Sequence, residues 1–258
     1  MDLQRSADGA ATNEPEHLAC CTGEHVETAM ATSRSIGTLQ EGSLHAALKT
    51  WYAQPGDEFE VDVDGFVIDL RRGDQLIEFQ TRSFSALKRK LNRLVTEHPI
   101  RLVHPISLEK WVVRLKADRR TVAGRRKSPR RGQLASIFEE LVSFPELVGH
   151  PNFTLEVLLT REEELKIRDP TAPWRRKGWR IHDRRLVEVL ECLVFTTPAD
   201  FRRFVPETLA STFTVRDLAR AADQPVWRAR KMAYCLRRMG VLAVRGRRGG
   251  AWLYGLSR

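Results

Sequence analysis

Asp69, Glu78 and Gln80 lie within IDLRRGDQLIEFQT, residues 68 to 81, and they are the side chains of this chain best suited to divalent-metal chemistry. Successive side chains on a strand alternate faces, so Glu78 and Gln80 share one side while Ile77 and Phe79 share the other, the expected core side. Asp69 stands between Ile68 and Leu70 on the preceding strand, where an antiparallel hairpin brings it beside Glu78. Two carboxylates and the main-chain carbonyl of Phe79, with positions left open to water, suit a hard cation such as Mg2+ or Mn2+. A metal held there could activate water and neutralise charge on a phosphodiester. The same acids also suit a strand that simply faces solvent.

The elements that must hold these residues can be read on either side of them. Leu44, Ala47, Leu48 and Trp51 recur at helical spacing from about Thr38 to Gln54, and Pro55-Gly56 stops the helix. Phe59, Val61 and Val63 alternate with acids, Asp64-Gly65 is a hairpin turn, and the chain returns over 66 to 70. A second turn at Gly73-Asp74 leads into residues 76 to 81. Ser83 or Ser85 can then cap a helix with Leu87, Lys90, Leu91 and Leu94 on one stripe. Further strands are expected at 101 to 106, 111 to 115 and 153 to 159. A basic loop, ADRRTVAGRRKSPRRGQ, spans 117 to 133, and a helix is expected from His182 to about Phe195. The predicted class is α/β with a mixed sheet.

Charge narrows the function. The chain of 258 residues has a formal charge of +10, 42% hydrophobic residues, and no run of about 18 apolar residues that could span a membrane. No secretory pattern opens it, and four cysteines at these spacings make neither a disulfide framework nor a zinc site, so a cytoplasmic setting is expected. Residues 1 to 36 hold six acids against two arginines and have no periodicity, which predicts a disordered tail. The bases concentrate in three later segments: nine at 114 to 131, six at 174 to 185 and eleven at 213 to 258. Such clusters attract polyanions through phosphate contacts, and nucleic acid is the expected partner.

An Asp, a hairpin, then a strand ending in Glu-x-Lys resembles the PD-(D/E)xK, or restriction-endonuclease-like, nuclease superfamily. Its common core runs α-β-β-β-α-β. The resemblance covers about residues 38 to 115, and LHAALKTWYA, IEFQT, FSALKRKL and SPRRG look like bacterial proteins of unassigned function. By position it implies Asp69 and Glu78 as metal ligands, Glu41 in the preceding helix as an assisting acid, and Gln80 where the lysine usually stands. Gln80 can position water but contributes no positive charge. Lys90, on the stripe expected to pack against the sheet, could extend its ammonium to the site instead or snorkel to solvent. His45, one turn after Glu41, could line the same side, whereas His98 and His104 read as structural.

From Phe213, a short helix, a turn at Gln224-Pro225, a longer helix and a basic hairpin resemble a winged helix-turn-helix. The resemblance implies a DNA face of Trp227, Arg228, Arg230 and Lys231 on the second helix and Arg245, Arg247 and Arg248 on the wing. The basic loop that carries Arg125, Arg126, Lys127, Arg130 and Arg131 either stays mobile or lies on backbone phosphate. The expected organisation is a tail (1 to 36), a nuclease-like core (37 to 180) and a helical connector with the winged helix (181 to 258). The expected function is Mg2+-dependent hydrolysis of DNA. A non-catalytic DNA-binding regulator and an RNA-processing protein are the alternatives, and RNA or a second copy of the chain are further candidate partners.

Overall fold

The computed structural model describes residues 42 to 173, 175 and 177 to 257. The tail and Glu41 lie outside the described residues.

Helix α1 (Ser43–Tyr52) places Leu44, Leu48 and Tyr52 on one buried face at intervals of four. Its N-cap is Gly42, which has no side chain to offer, and the missing acceptor comes from far along the chain. The Asp183 carboxylate takes hydrogen bonds from the Ser43 N–H and hydroxyl, and its negative charge suits a helix N-terminus. Strands β1 (Glu58–Val63) and β2 (Phe66–Arg72) pair antiparallel across Asp64 and Gly65, both at positive φ (53° and 77°), as a two-residue hairpin turn requires. Strand β3 (Gln75–Phe79) returns antiparallel to β2, with Leu70 opposite Ile77. A 3-10 turn opened by Ser83 leads into α2 (Lys88–Leu94), and β4 (Ile100–Leu115) then lies parallel to β3. The order helix, three strands, helix, strand is therefore the one expected.

Strand β6 (Phe153–Arg168) lies parallel to β4, and β7 (Trp179–Phe195) antiparallel to β6. The result is a seven-stranded mixed sheet in the order β1, β2, β3, β4, β6, β7. Strand β5 (Val122–Lys127) pairs with the second half of β4, where β3 has ended. A short helix α3 (Phe138–Leu141) precedes β6. After β7 come a 3-10 turn (Pro198–Phe204), helices α4 (Val215–Ala221) and α5 (Val226–Arg238), and a hairpin of β8 (Leu242–Arg248) and β9 (Ala251–Leu256).

Four expectations change. The stretch 182 to 195 is a strand, not a helix. Its pairing with β6 skips His182, Val187 and Leu190, and these bulges space the partly buried Asp183, Leu186, Val189 and Cys192 three residues apart. Bulges at that interval turn a period of two into one that mimics a helix. The basic loop contains β5, whose side chains carry no apolar alternation because the open edge of β4 templates it. Residues 101 to 106 and 111 to 115 form one strand with an irregularity at Ser107 and Glu109. Finally, a boundary between 180 and 181 would cut β7, and the described residues form one compact unit.

Both faces of the sheet are covered. Ile77, Phe79, Val103 and Leu158 pack under α1 with Leu44, Leu48 and Tyr52. Their neighbours Leu76, Leu102 and Val157 face the other way, into a larger core shared by α2, α3, α4 and α5. Phenylalanines join its parts: Phe84 stacks on Phe144 at 5.4 Å, and Phe138 meets Phe201 and Phe204 edge-on. No helix among the described residues is long and apolar enough to cross a membrane. Because sheet and C-terminal helices share this core, urea unfolding is expected as a single transition. Phe138→Ala should cost about 3 to 5 kcal/mol while the transition stays single. Two separated transitions would show the helices to be an independent domain.

Candidate functional site

Asp69, in the middle of β2, and Glu78, near the end of β3, stand side by side, as the hairpin predicts. The alternation of β2 is interrupted there: Ile68 joins the core under α2, yet Leu70, two residues on, joins the core under α1. Asp69 sits at this break. Its Oδ2 accepts the Phe79 N–H at 2.8 Å and lies 3.2 Å from His45 Nε2, while its Oδ1 is 3.9 Å from Lys49 Nζ. Burial pushes the Asp69 carboxyl up, but the hydrogen bond and charge of His45, the Phe79 N–H and the Lys49 charge together hold it below the usual carboxylate range.

Glu78 differs from its expected position. It does not face solvent, because the sheet is covered on both sides and Glu78 is only 8% exposed. Burial, and next the Asp69 charge, push its carboxyl up to about 7. The opposing influence is Lys90, whose ammonium reaches from α2 to Glu78 Oε2 and to the Val67 carbonyl, both at 2.5 Å. Lys90 therefore points inward rather than snorkelling. Asp69 and the buried Glu78, side by side at an open cleft, form a donor set that suits a divalent oxygen-seeking cation.

Gln80 stands at the mouth of the site. Its side-chain oxygen accepts the Arg82 N–H, and its main-chain carbonyl is 2.5 Å from His104 Nδ1. A cleft of about 1220 Å3 opens here, lined by His45, Glu78 and Gln80 on one side and by Arg180, Asp183 and Arg184 of β7 on the other. Lys49 was not foreseen. It is buried between Asp69 and Glu60, although its place four residues after His45 on the same helix face was a usable signal. Glu60 is linked to the site through Lys49, with which it pairs. A separate group, Asp64, Glu97 and His98, brings ligand atoms within 4.8 Å, but its acids are exposed and share Arg93.

Several basic residues expected on nucleic acid are engaged with the protein. Arg228 is bound to Glu139, Gln133 and Gln224, and Lys231 reaches the Glu139 carbonyl, so both turn α5 toward α3. Arg248 pairs with Asp217 at the start of α4, Arg125 with Glu163, and Lys127 with Glu109. Arg245 donates to the Leu256 carbonyl. Trp227 and Arg230 stand exposed on α5, Arg247 lies 3.9 Å over the ring of Trp252, and Arg126, Arg130 and Arg131 are exposed beyond β4.

Residues 42 to 196 match a family described as a domain of unknown function (DUF8091), and the chain belongs to that family. The match ends one residue after β7, so it spans the sheet and stops before the C-terminal helices. A relative described as an uncharacterized protein of Treponema pallidum (strain Nichols) is 29% identical over 221 residues, covering 85% of this chain and 87% of its own. No solved structure matches the chain.

His104 supplies a pH test of the packing behind Gln80. Burial pushes its imidazole down, against the pull of the Gln80 carbonyl, so the folded state holds it neutral. A base with a depressed folded pKa contributes stability that is present above its unfolded value of about 6.5 and lost as pH falls through it. Melting temperature should therefore fall from pH 7 to pH 5, and His104→Gln, which keeps a donor for the carbonyl, should flatten that slope.

Proposed function

We propose that the chain is a divalent-metal-dependent nuclease that hydrolyses phosphodiester bonds in DNA. The observation that carries this reading is the convergence of Asp69, Glu78 and Lys90 at one buried strand end beside an open cleft. The α-β-β-β-α-β order, with β1 to β3 antiparallel and β3 to β4 parallel, supports a restriction-endonuclease-like core. Asp69 and Glu78 would hold the metal. When bound, Mg2+ or Mn2+ neutralises phosphate charge and lowers the pKa of water.

The remaining steps fall to the protein. His45 and the Phe79 N–H fix Oδ2 of Asp69, and Lys49 stands 3.9 Å from its Oδ1, so the carboxylate is held in one orientation. Lys90 keeps Glu78 oriented and brings the positive charge that Gln80 lacks, from a helix instead of the strand. Gln80, whose oxygen is taken by Arg82, keeps its amide N–H groups to orient a water. Arg180 and Arg184 line the opposite wall, where a phosphate backbone needs cations.

The C-terminal order of α4, turn, α5 and hairpin supports docking on duplex DNA by a winged helix. So does the bridge from Phe213 to Tyr254, which ties the start of α4 to the hairpin. The inward turn of Arg228 and Lys231 shifts the proposed DNA face to Trp227, Arg230 and Arg247. On supercoiled plasmid with Mg2+ or Mn2+, the chain should nick or linearise DNA. Asp69→Asn and Glu78→Gln should abolish cleavage with binding retained, and Lys90→Met should slow it about 100-fold or more. Duplex binding without cleavage under either metal would favour a regulator, and preferential binding of structured RNA would favour an RNA-processing protein.

A further inference from the structure

We infer that a second cleft, at the far end of the sheet, binds backbone phosphates of the same nucleic-acid strand that occupies the acidic site. The inference rests on the nuclease reading of that site. Beyond the end of β3, strands β4 and β6 run on together, and their side chains divide cleanly by face. Val113, Leu115, Leu165 and Ile167 form a small apolar cluster on one side. On the other side Lys110, Val112 and Arg114 of β4 alternate with them, and Glu164 and Lys166 do so on β6. That face is the floor of a cleft of about 540 Å3, closed by the segment after β5 and by the turn before β7.

Seven lysines and arginines line this cleft against a single acid, Glu164. Glu164 is shared by Lys110 at 3.2 Å and Lys166 at 3.0 Å, so the lining keeps a large excess of positive charge. Arg114 is also held, with its guanidinium 4.9 Å from the centre of the Trp179 ring. A concave, cation-lined surface over the apolar groups of Val112, Trp179 and Ile181 concentrates anions, because the low-dielectric floor weakens screening.

The neighbouring acidic cleft identifies the anion. Ile181 lines both clefts, and Arg180, Ile181 and Arg184 carry cations and an apolar step along β7 from one to the other. A ligand that spans them needs negative charges at intervals along a chain, one of which would meet the divalent cation proposed at Asp69 and Glu78. A phosphodiester backbone has that form. An acidic peptide carries its charges on side chains, away from its scissile amides, whereas each phosphodiester carries its charge at the bond to be cut.

The test measures binding apart from cleavage. In the full chain bearing Asp69→Asn, without divalent metal, affinity for a fluorescein-labelled DNA oligonucleotide is titrated against salt. Replacing both Arg126 and Arg130, which are exposed and line the cleft, by Ala should weaken binding about tenfold or more near 0.15 M salt. The slope of log affinity on log salt should become shallower by about 0.7 to 0.9 for each phosphate that the cleft no longer neutralises. Removing the same charge elsewhere, with Arg202→Ala and Arg203→Ala, should leave both within about twofold. Equal losses from the two pairs, no change from the first, or displacement by polyglutamate as effective as by DNA would overturn the inference. If the wild-type chain never cuts DNA but the Arg126 and Arg130 pair is needed to bind it, the cleft stands and the nuclease reading falls.

Discussion

Strand β3 is buried on both faces, and the rest of the structure answers to that constraint. A strand in this position normally carries an unbroken apolar run, yet β3 carries Glu78 between Ile77 and Phe79. An isolated buried carboxylate is costly enough that it gives up its charge unless a partner is supplied. Lys90 is that partner, and its ammonium arrives only because α2 lies against the same face of the sheet. The pair is thus a requirement of the fold before it is a property of any reaction.

The position of α2 depends in turn on residues far along the chain. Phe84, in the turn that opens it, stacks on Phe144, and its N–H is held by Glu140 of α3. Helix α3 is clasped by α5 through Arg228 and Glu139, and the Phe201 and Phe204 rings close over Phe138. On the opposite face, Asp183 of β7 anchors the first turn of α1 and so sets where His45 meets Asp69. The acidic site therefore has supports from both covering layers, although its own residues lie within one short hairpin.

Much of this hairpin was legible. Asp64-Gly65 takes the positive φ values that such pairs favour, the strands fall within a residue or two of their expected positions, and Asp69 and Glu78 come together as the pairing implies. Lys90 was legible because it shares a stripe with Leu91 and Leu94. What local pattern could not convey was coverage. Glu78 looked solvent-facing because α2, whose Lys90 reaches it, begins 10 residues further on, and the other helices that share this core lie later still, where no alternation along β3 reports them. The inward turn of Arg228 was hidden for the same reason, since its acid lies 89 residues away. Strand β7 was misread for a different cause: its bulges gave it a helical period.

Those bulges have another consequence. In a regular strand, losing or gaining one residue turns every later side chain to the wrong face. In β7 the residues without a pairing partner on β6, His182, Val187 and Leu190, act as slack. Absence of any one of them would restore plain pairing at that point and leave the facing of all other residues intact. Strand length can thus vary at three places, one just before Asp183 and two after it, while Asp183 keeps its hold on α1. The wall of both clefts is built to absorb change in length without passing it on to the acids it faces.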